Sequence, residues 1–247
     1  MKALKYSDIC LIPNYSEVYS RTDCDPSVEF LSKSFMLPII PANMKSVIDM
    51  DLSRALSNDG YFYIMHRFGN GLKDTVLQMN KENWPIISVS MGVKMIDKKD
   101  IIALAKLNQR IDFITIDIAH GHCERMKIAI KCVEKYFPRT RIIAGNVTTP
   151  EAVKQLYDWG ASAVKVGIGQ GSPCTTKDKT GFTMPMFTCV QKCSNVMDDD
   201  YLIPIIADGG IRCNGDLVEA IYAGATMAIA CTLFASCTDC PAFHSSI

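Results

Sequence analysis

In Lys165–Lys177, KVGIGQGSPCTTK, a single cysteine closes a glycine-rich turn that follows an apolar run. Val164, Val166 and Ile168 suit a buried strand, and Gly167, Gly169 and Gly171 let the backbone bend tightly and approach a ligand closely. Ser172, Cys174, Thr175 and Thr176 set one soft nucleophile among hydroxyls, so the chemistry on offer is covalent catalysis by Cys174. A structural turn carrying a spectator cysteine uses the same residues, and the loop alone does not separate the two. Asp208-Gly209-Gly210, with Gly215-Asp216 opening the next helix, reads as a phosphate cradle or a plain tight turn. Asp117–His122, DIAHGH, has two histidines two apart but no carboxylate spaced to complete a zinc set, which favours a polar wall over a metal. His66-Arg67 offers a guanidinium to an anion, or a salt bridge at the rim.

Short apolar runs alternating with helical periodicity must position these groups. Expected strands are Met36–Ile40, Tyr61–His66, Ile86–Met91, Phe113–Ile118, Arg141–Gly145, Ala163–Ile168, Pro204–Ala207 and Thr226–Ala230. Expected helices are Met50–Asn58, Gly71–Asn83, Asp97–Gln109, Glu124–Phe137, Thr149–Trp159, Met184–Met197 and Gly215–Tyr222. This alternation implies an α/β fold, a parallel (β/α)8 TIM barrel. PIIPAN, RIIAGN and PIIADG share an ending that puts Asn43, Asn146 and Asp208 at the carboxyl rim, where such barrels build their sites. The expectation is one domain over residues 1–247: an arm or lid over 1–35, the barrel over 36–232 and a short tail over 233–247. That tail holds no amphipathic run, so the eighth helix is expected to be missing.

The chain has 247 residues and 48% apolar content, enough for one large core. Its 26 basic and 26 acidic residues create no field for nucleic acid, and no long apolar run suggests a membrane span or signal peptide. Eleven cysteines without framework spacing read as reduced thiols in a cytoplasmic protein. Cys237 and Cys240, with His244 behind them, form a single CxxC whose second pair is lacking.

KVGIGQGSPCTT, IIADGGIR followed by GD, IDIAHGH, IIAGNV with TPEAV, PANM and YFYIMHRF together resemble the IMP dehydrogenase/GMP reductase family. The resemblance spans roughly residues 5–235. Within the family it points to the bacterial GMP reductases, because Tyr61–His66 leads through one helix to Ile86 without the regulatory insertion usual in IMP dehydrogenases. It implies NADPH-dependent conversion of GMP to IMP with release of ammonia, through a thioimidate on Cys174, with Thr176 handling the leaving ammonia. Ser172, Asp208, Gly209, Gly210, Ala230 and Cys231 fall at nucleotide-binding positions. Ser20, Arg21, Arg67, Asp117 and Ala119 fall on the cofactor side. Gly169, Gly171 and Cys174 fall where backbone groups hold a monovalent cation, typically potassium. The resemblance also implies a homo-oligomer, a tetramer.

Three departures accompany it. Gln170 stands for the usual loop proline and implies a looser turn. Ala230-Cys231 stands for a glycine-centred pair, and the family's flap, glutamate partner and last helix have no counterpart. A non-catalytic nucleotide-binding or oligomer-partner module is therefore the alternative, with an IMP dehydrogenase as a third reading.

Overall fold

The computed structural model describes residues 2–69, 71–171, 174–199 and 201–241. Ser172 and the terminal residues around His244 therefore lie outside the described residues. Strands Ile39–Pro41, Ser88–Met91, Phe113–Asp117, Arg141–Val147, Ala163–Val166, Ile205–Asp208 and Met227–Ala230 form one seven-stranded parallel sheet. They are near-continuous apolar runs because barrel interior and helix layer bury both of their faces. The first strand pairs with the last, Ile40 opposite Ile229, as closure of a barrel requires.

The expected second strand is the exception to the ladder. Tyr61–His66 runs beside the third strand, but only Met65 bridges to it, opposite Val89, through Met65 N–Ser88 O at 3.1 Å and Ser90 N–Met65 O at 2.9 Å. On its other side Met36 N donates to Gly60 O at 3.1 Å. It serves as the eighth stave by packing: Phe62, Tyr63 and Ile64 are fully buried.

The helices follow the expected order with ends trimmed by a few residues, as at Pro150–Asp158 and Met186–Cys193. Thr149 accepts from Ala152 N at 3.2 Å and Pro150 occupies the first turn, so that helix starts as its sequence dictates. After the last strand the described residues hold a single helical turn, Thr232–Ala235, in place of a full eighth helix.

The expected arm divides in two. Residues 10–27 are exposed throughout, whereas Val28–Phe30 and Lys33–Phe35 pair as a hairpin that caps the amino-terminal end of the barrel. Phe30, Phe35, Phe62 and Phe113 meet edge to face there, with centroids 5.0–6.2 Å apart. Hydrophobic burial of Phe30 and Phe35 pulls this part of the arm into the core. Near the opposite end, Leu4 exchanges hydrogen bonds with Thr188, and the Tyr6 ring lies beside Gly210.

Candidate active site

The carboxyl ends of the strands bring the predicted residues together. Cys174 is half-buried in the turn after Ala163–Val166, where its N–H donates to Gly171 O at 3.0 Å. The looser turn expected from Gln170 is not found. The Gln170 amide donates to Thr183 Oγ1, and Thr183 in turn donates to Ile168 O at 2.7 Å, so a side-chain tie replaces the rigidity of proline. Gly209 (φ 101°) lies against this loop: a side chain there would meet Gly171 N at 2.9 Å.

Two connected cavities open around Cys174. The larger, about 320 Å³, is lined by Met44, Asp208, Gly209 and Cys231 as well as Cys174. The other, about 210 Å³, is lined by Arg67, Asp117, Ala119 and Thr176 together with Cys174. Cys174 and Asp117 border both cavities, whereas Asp208, Gly209 and Cys231 line only the larger of the two and Arg67, Ala119 and Thr176 only the smaller. Gly210 lines an adjoining recess with Gly209, Arg212 and Cys231. Ala230 is buried in its strand with its carbonyl taken by Ala42 N at 2.9 Å. Ser20 and Arg21 stand on the exposed arm, where Ser20 caps the turn Arg21–Asp23, and they line neither cavity. His122 binds Gln155 and faces helix Pro150–Asp158, and His120 lines neither cavity, so of the expected polar wall Asp117, Ile118 and Ala119 face the site. His66 is buried and accepts from Phe68 N at 3.2 Å; burial holds its imidazole below the usual range.

The floor of the site is a charge network that the sequence reading did not assign. Lys165 is 1% exposed, and its Nζ lies 3.0 Å from Asp208 Oδ2 and 3.2 Å from Asp117 Oδ2. Asn43 Nδ2 donates to Asp117 Oδ2 at 2.6 Å, and Asn146 Nδ2 donates to Asp208 Oδ2 at 2.7 Å. The strand bulges at Asn146, which re-aims its side chain into the site. Gly145 makes room for the lysine: an added side chain would meet Lys165 Cβ at 2.5 Å. Burial alone would raise the Asp117 pKa, but the Lys165 charge and the Asn43 hydrogen bond hold it below the usual carboxylate value. Burial alone would lower that of Lys165, yet its two carboxylates raise it. The lone charged residue in AVKV was the available signal, since a buried ammonium must find carboxylates.

Two thiols face the larger cavity, and their surroundings differ. Burial, then Cys240 and Asp208, push the Cys231 thiol up, which disfavours it as a nucleophile. No group of three or more metal-ligating side chains gathers among the described residues, Cys237 and Cys240 included.

A parallel barrel whose cysteine loop and glycine loops meet at the carboxyl rim defines an enzyme-like (β/α)8 site. The model of the IMP dehydrogenase / GMP reductase domain matches residues 3–246, and the chain belongs to that family. It is 46% identical over 244 residues to a GMP reductase of Mesoplasma florum, covering 98% of this chain and 75% of that protein. It is 44% identical over 237 residues to a GMP reductase of Helicobacter pylori strain G27, covering 95% and 72%. The crystal structure of inosine 5' monophosphate dehydrogenase from Legionella pneumophila superposes with a TM-score of 0.83 at 32% identity, covering 95% of this chain and 70% of that one.

Proposed function

We propose that this protein reduces GMP to IMP with NADPH and releases ammonia, in the cytoplasm. The observation that carries the reading is the position of Cys174 on both cavities, one lined by Asp208 and Gly209, the other by Arg67 and Ala119, with Asp117 on both. The Cys174 sulfur adds to purine C2 and the thiol proton passes to the exocyclic amine, whose bond to C2 breaks to release ammonia and leave a thioimidate on sulfur. Thr176 hydrogen-bonds the departing amine, a role supported by its lining the same cavity as Cys174. Asp208, Gly209 and Gly210, with Cys231 beside them, hold the nucleotide; Ser172, expected in the same role, lies outside the described residues. Arg212, on the same recess as Gly210, adds a positive charge.

For the dinucleotide, Asn146 supplies a test of fit. Among the described residues its Oδ1 is buried without a partner, an acceptor suited to the amide N–H groups of a nicotinamide. When bound, NADPH supplies the hydride that resolves the covalent adduct. Arg67, Asp117 and Ala119 orient it from the opposite wall, and Ser20 and Arg21 reach it from the arm. Potassium on the Gly169, Gly171 and Cys174 carbonyls fits less well. The cavity of about 270 Å³ that these residues share is also lined by Lys5, Lys177 and Arg212, against Asp178 and Asp216. Three basic side chains against two acidic ones leave this cavity net positive, and no step is assigned to a metal. The same reading makes the working form a homotetramer.

The test is NADPH oxidation followed by absorbance with GMP as substrate, beside Cys174→Ala. The wild type consumes NADPH and forms IMP and ammonia, and Cys174→Ala loses about 10³-fold or more. Equal rates for the two overturn the reading.

A further inference from the structure

We propose that Lys165 is a positioning residue that fixes the nucleotide-side and cofactor-side carboxylates in one shared geometry. The inference rests on the reading of the two cavities above. Asp208 and Asp117 come from strands on different sides of the barrel, and a single buried nitrogen lies within 3.2 Å of both. The grip is symmetric. In each carboxylate Oδ2 takes the inner donors, Lys165 with Asn43 for Asp117 and Lys165 with Asn146 for Asp208. Among the described residues, Oδ1 of each has no protein hydrogen-bond partner and is not sealed from solvent, which leaves it to a ligand. The side chains of Asp117 and Asp208 keep 25% and 23% exposure, whereas that of Lys165 keeps 1%. The lysine therefore touches neither ligand and acts through the two acids.

An ammonium suits the role because it donates in three directions from one point and stays charged between two acids. Removing the charge leaves the two carboxylates with Arg67, near Asp117, as the remaining positive group in the network. They must then swing apart or share a proton, and the ligand-facing oxygens on both walls move together. Loss of Asp208 alone disturbs the nucleotide side first, whereas Asp117 borders both cavities. This difference separates positioning from ordinary core packing.

Lys165→Met and Lys165→Arg test it, with equilibrium binding of GMP and of NADPH measured separately and pH profiles recorded for each. Lys165→Met should bind both ligands about thirtyfold or more weakly, because a buried charge pair has lost one partner. Its binding should also rise with pH around neutrality, where the wild type is flat, as the carboxylate pair gives up its shared proton. Lys165→Arg, which restores the charge, should recover to within about tenfold. Weakening confined to one ligand, or affinities within about threefold of wild type with a flat profile, overturns the proposal. Should Lys165→Met fail to fold, the ¹⁵N signal of the Lys165 ammonium in wild-type protein decides. It should shift on adding GMP alone and on adding NADPH alone, and a response to one only overturns the shared geometry. Wild-type protein that binds neither ligand overturns the reading of the site itself. Wild type that binds both while Lys165→Met matches it overturns only the role of Lys165.

Discussion

At the level of single residues, the Asp117–Lys165–Asp208 network makes a definite statement about pH. A carboxylate whose pKa is depressed on folding contributes stability that is complete above its unfolded value, about 3.9, and is lost as pH falls through the folded value. A lysine whose pKa is raised contributes fully below its unfolded value, about 10.4, and loses that contribution as pH rises through the folded one. Asp117 is shifted down and Lys165 up, so the contribution is whole across neutrality and erodes only at the two extremes. Urea midpoints measured across pH should therefore form a plateau with an acid limb below the ordinary carboxylate range. Asp117→Asn should lower the plateau and make that limb shallower. An acid limb of equal slope in both proteins would remove Asp117 from the account. The two thiols are a second residue-scale contrast: Cys174 sits in a turn between cavities, while burial first, with Cys240 and Asp208 adding to it, pushes the Cys231 thiol up.

At the level of elements, the barrel is sealed at its amino-terminal end by four phenylalanines, two of them from the hairpin that precedes the first strand. Phe62 is fully buried and touches the other three, on a stave that has a single bridge to its neighbour. With so few backbone bonds, this stave depends on side-chain packing. Phe62→Ala should cost about 3–5 kcal/mol, read as a lower urea midpoint with similar slope. A loss below about 1 kcal/mol would mean that the plug is not what holds the stave.

The same elements show what the sequence carried and what it did not. The helix Pro150–Asp158 was legible because Thr149 and Pro150 are local signals, and the burial of AVKV because it is an apolar run. The hairpin was not, because Phe30 and Phe35 have no local reason to turn inward until a barrel end exists to receive them. Likewise Cys174, Asp208 and Gly209 could be named from their loops. The partners of Lys165 could not, since they become its neighbours only when strands far apart in sequence are brought around one axis.

At the level of the whole molecule, the outstanding feature is the arm over residues 10–27, exposed along its length yet carrying large apolar groups. Ile12 is 86% exposed, Tyr15 91% and Tyr19 99%. Single exposed hydrophobics are ordinary on a soluble surface, but a run of them on one segment marks a surface made for contact. The arm also carries Ser20 and Arg21, which the proposed function assigns to the dinucleotide although they line neither cavity of their own chain. A homo-oligomer accounts for both facts at once if the arm lies against a neighbouring copy, burying the tyrosines at the seam and bringing its basic residue toward a site. Light scattering after size exclusion should then give a mass that is a multiple of the 27.3 kDa chain. Tyr15→Ser with Tyr19→Ser should shift the population toward the single chain without changing the far-ultraviolet circular dichroism, because both side chains lie outside the barrel core. The same pair of changes should weaken NADPH more than GMP. An unchanged mass in the double variant would place the seam elsewhere, and an unchanged NADPH affinity would detach the arm from the cofactor.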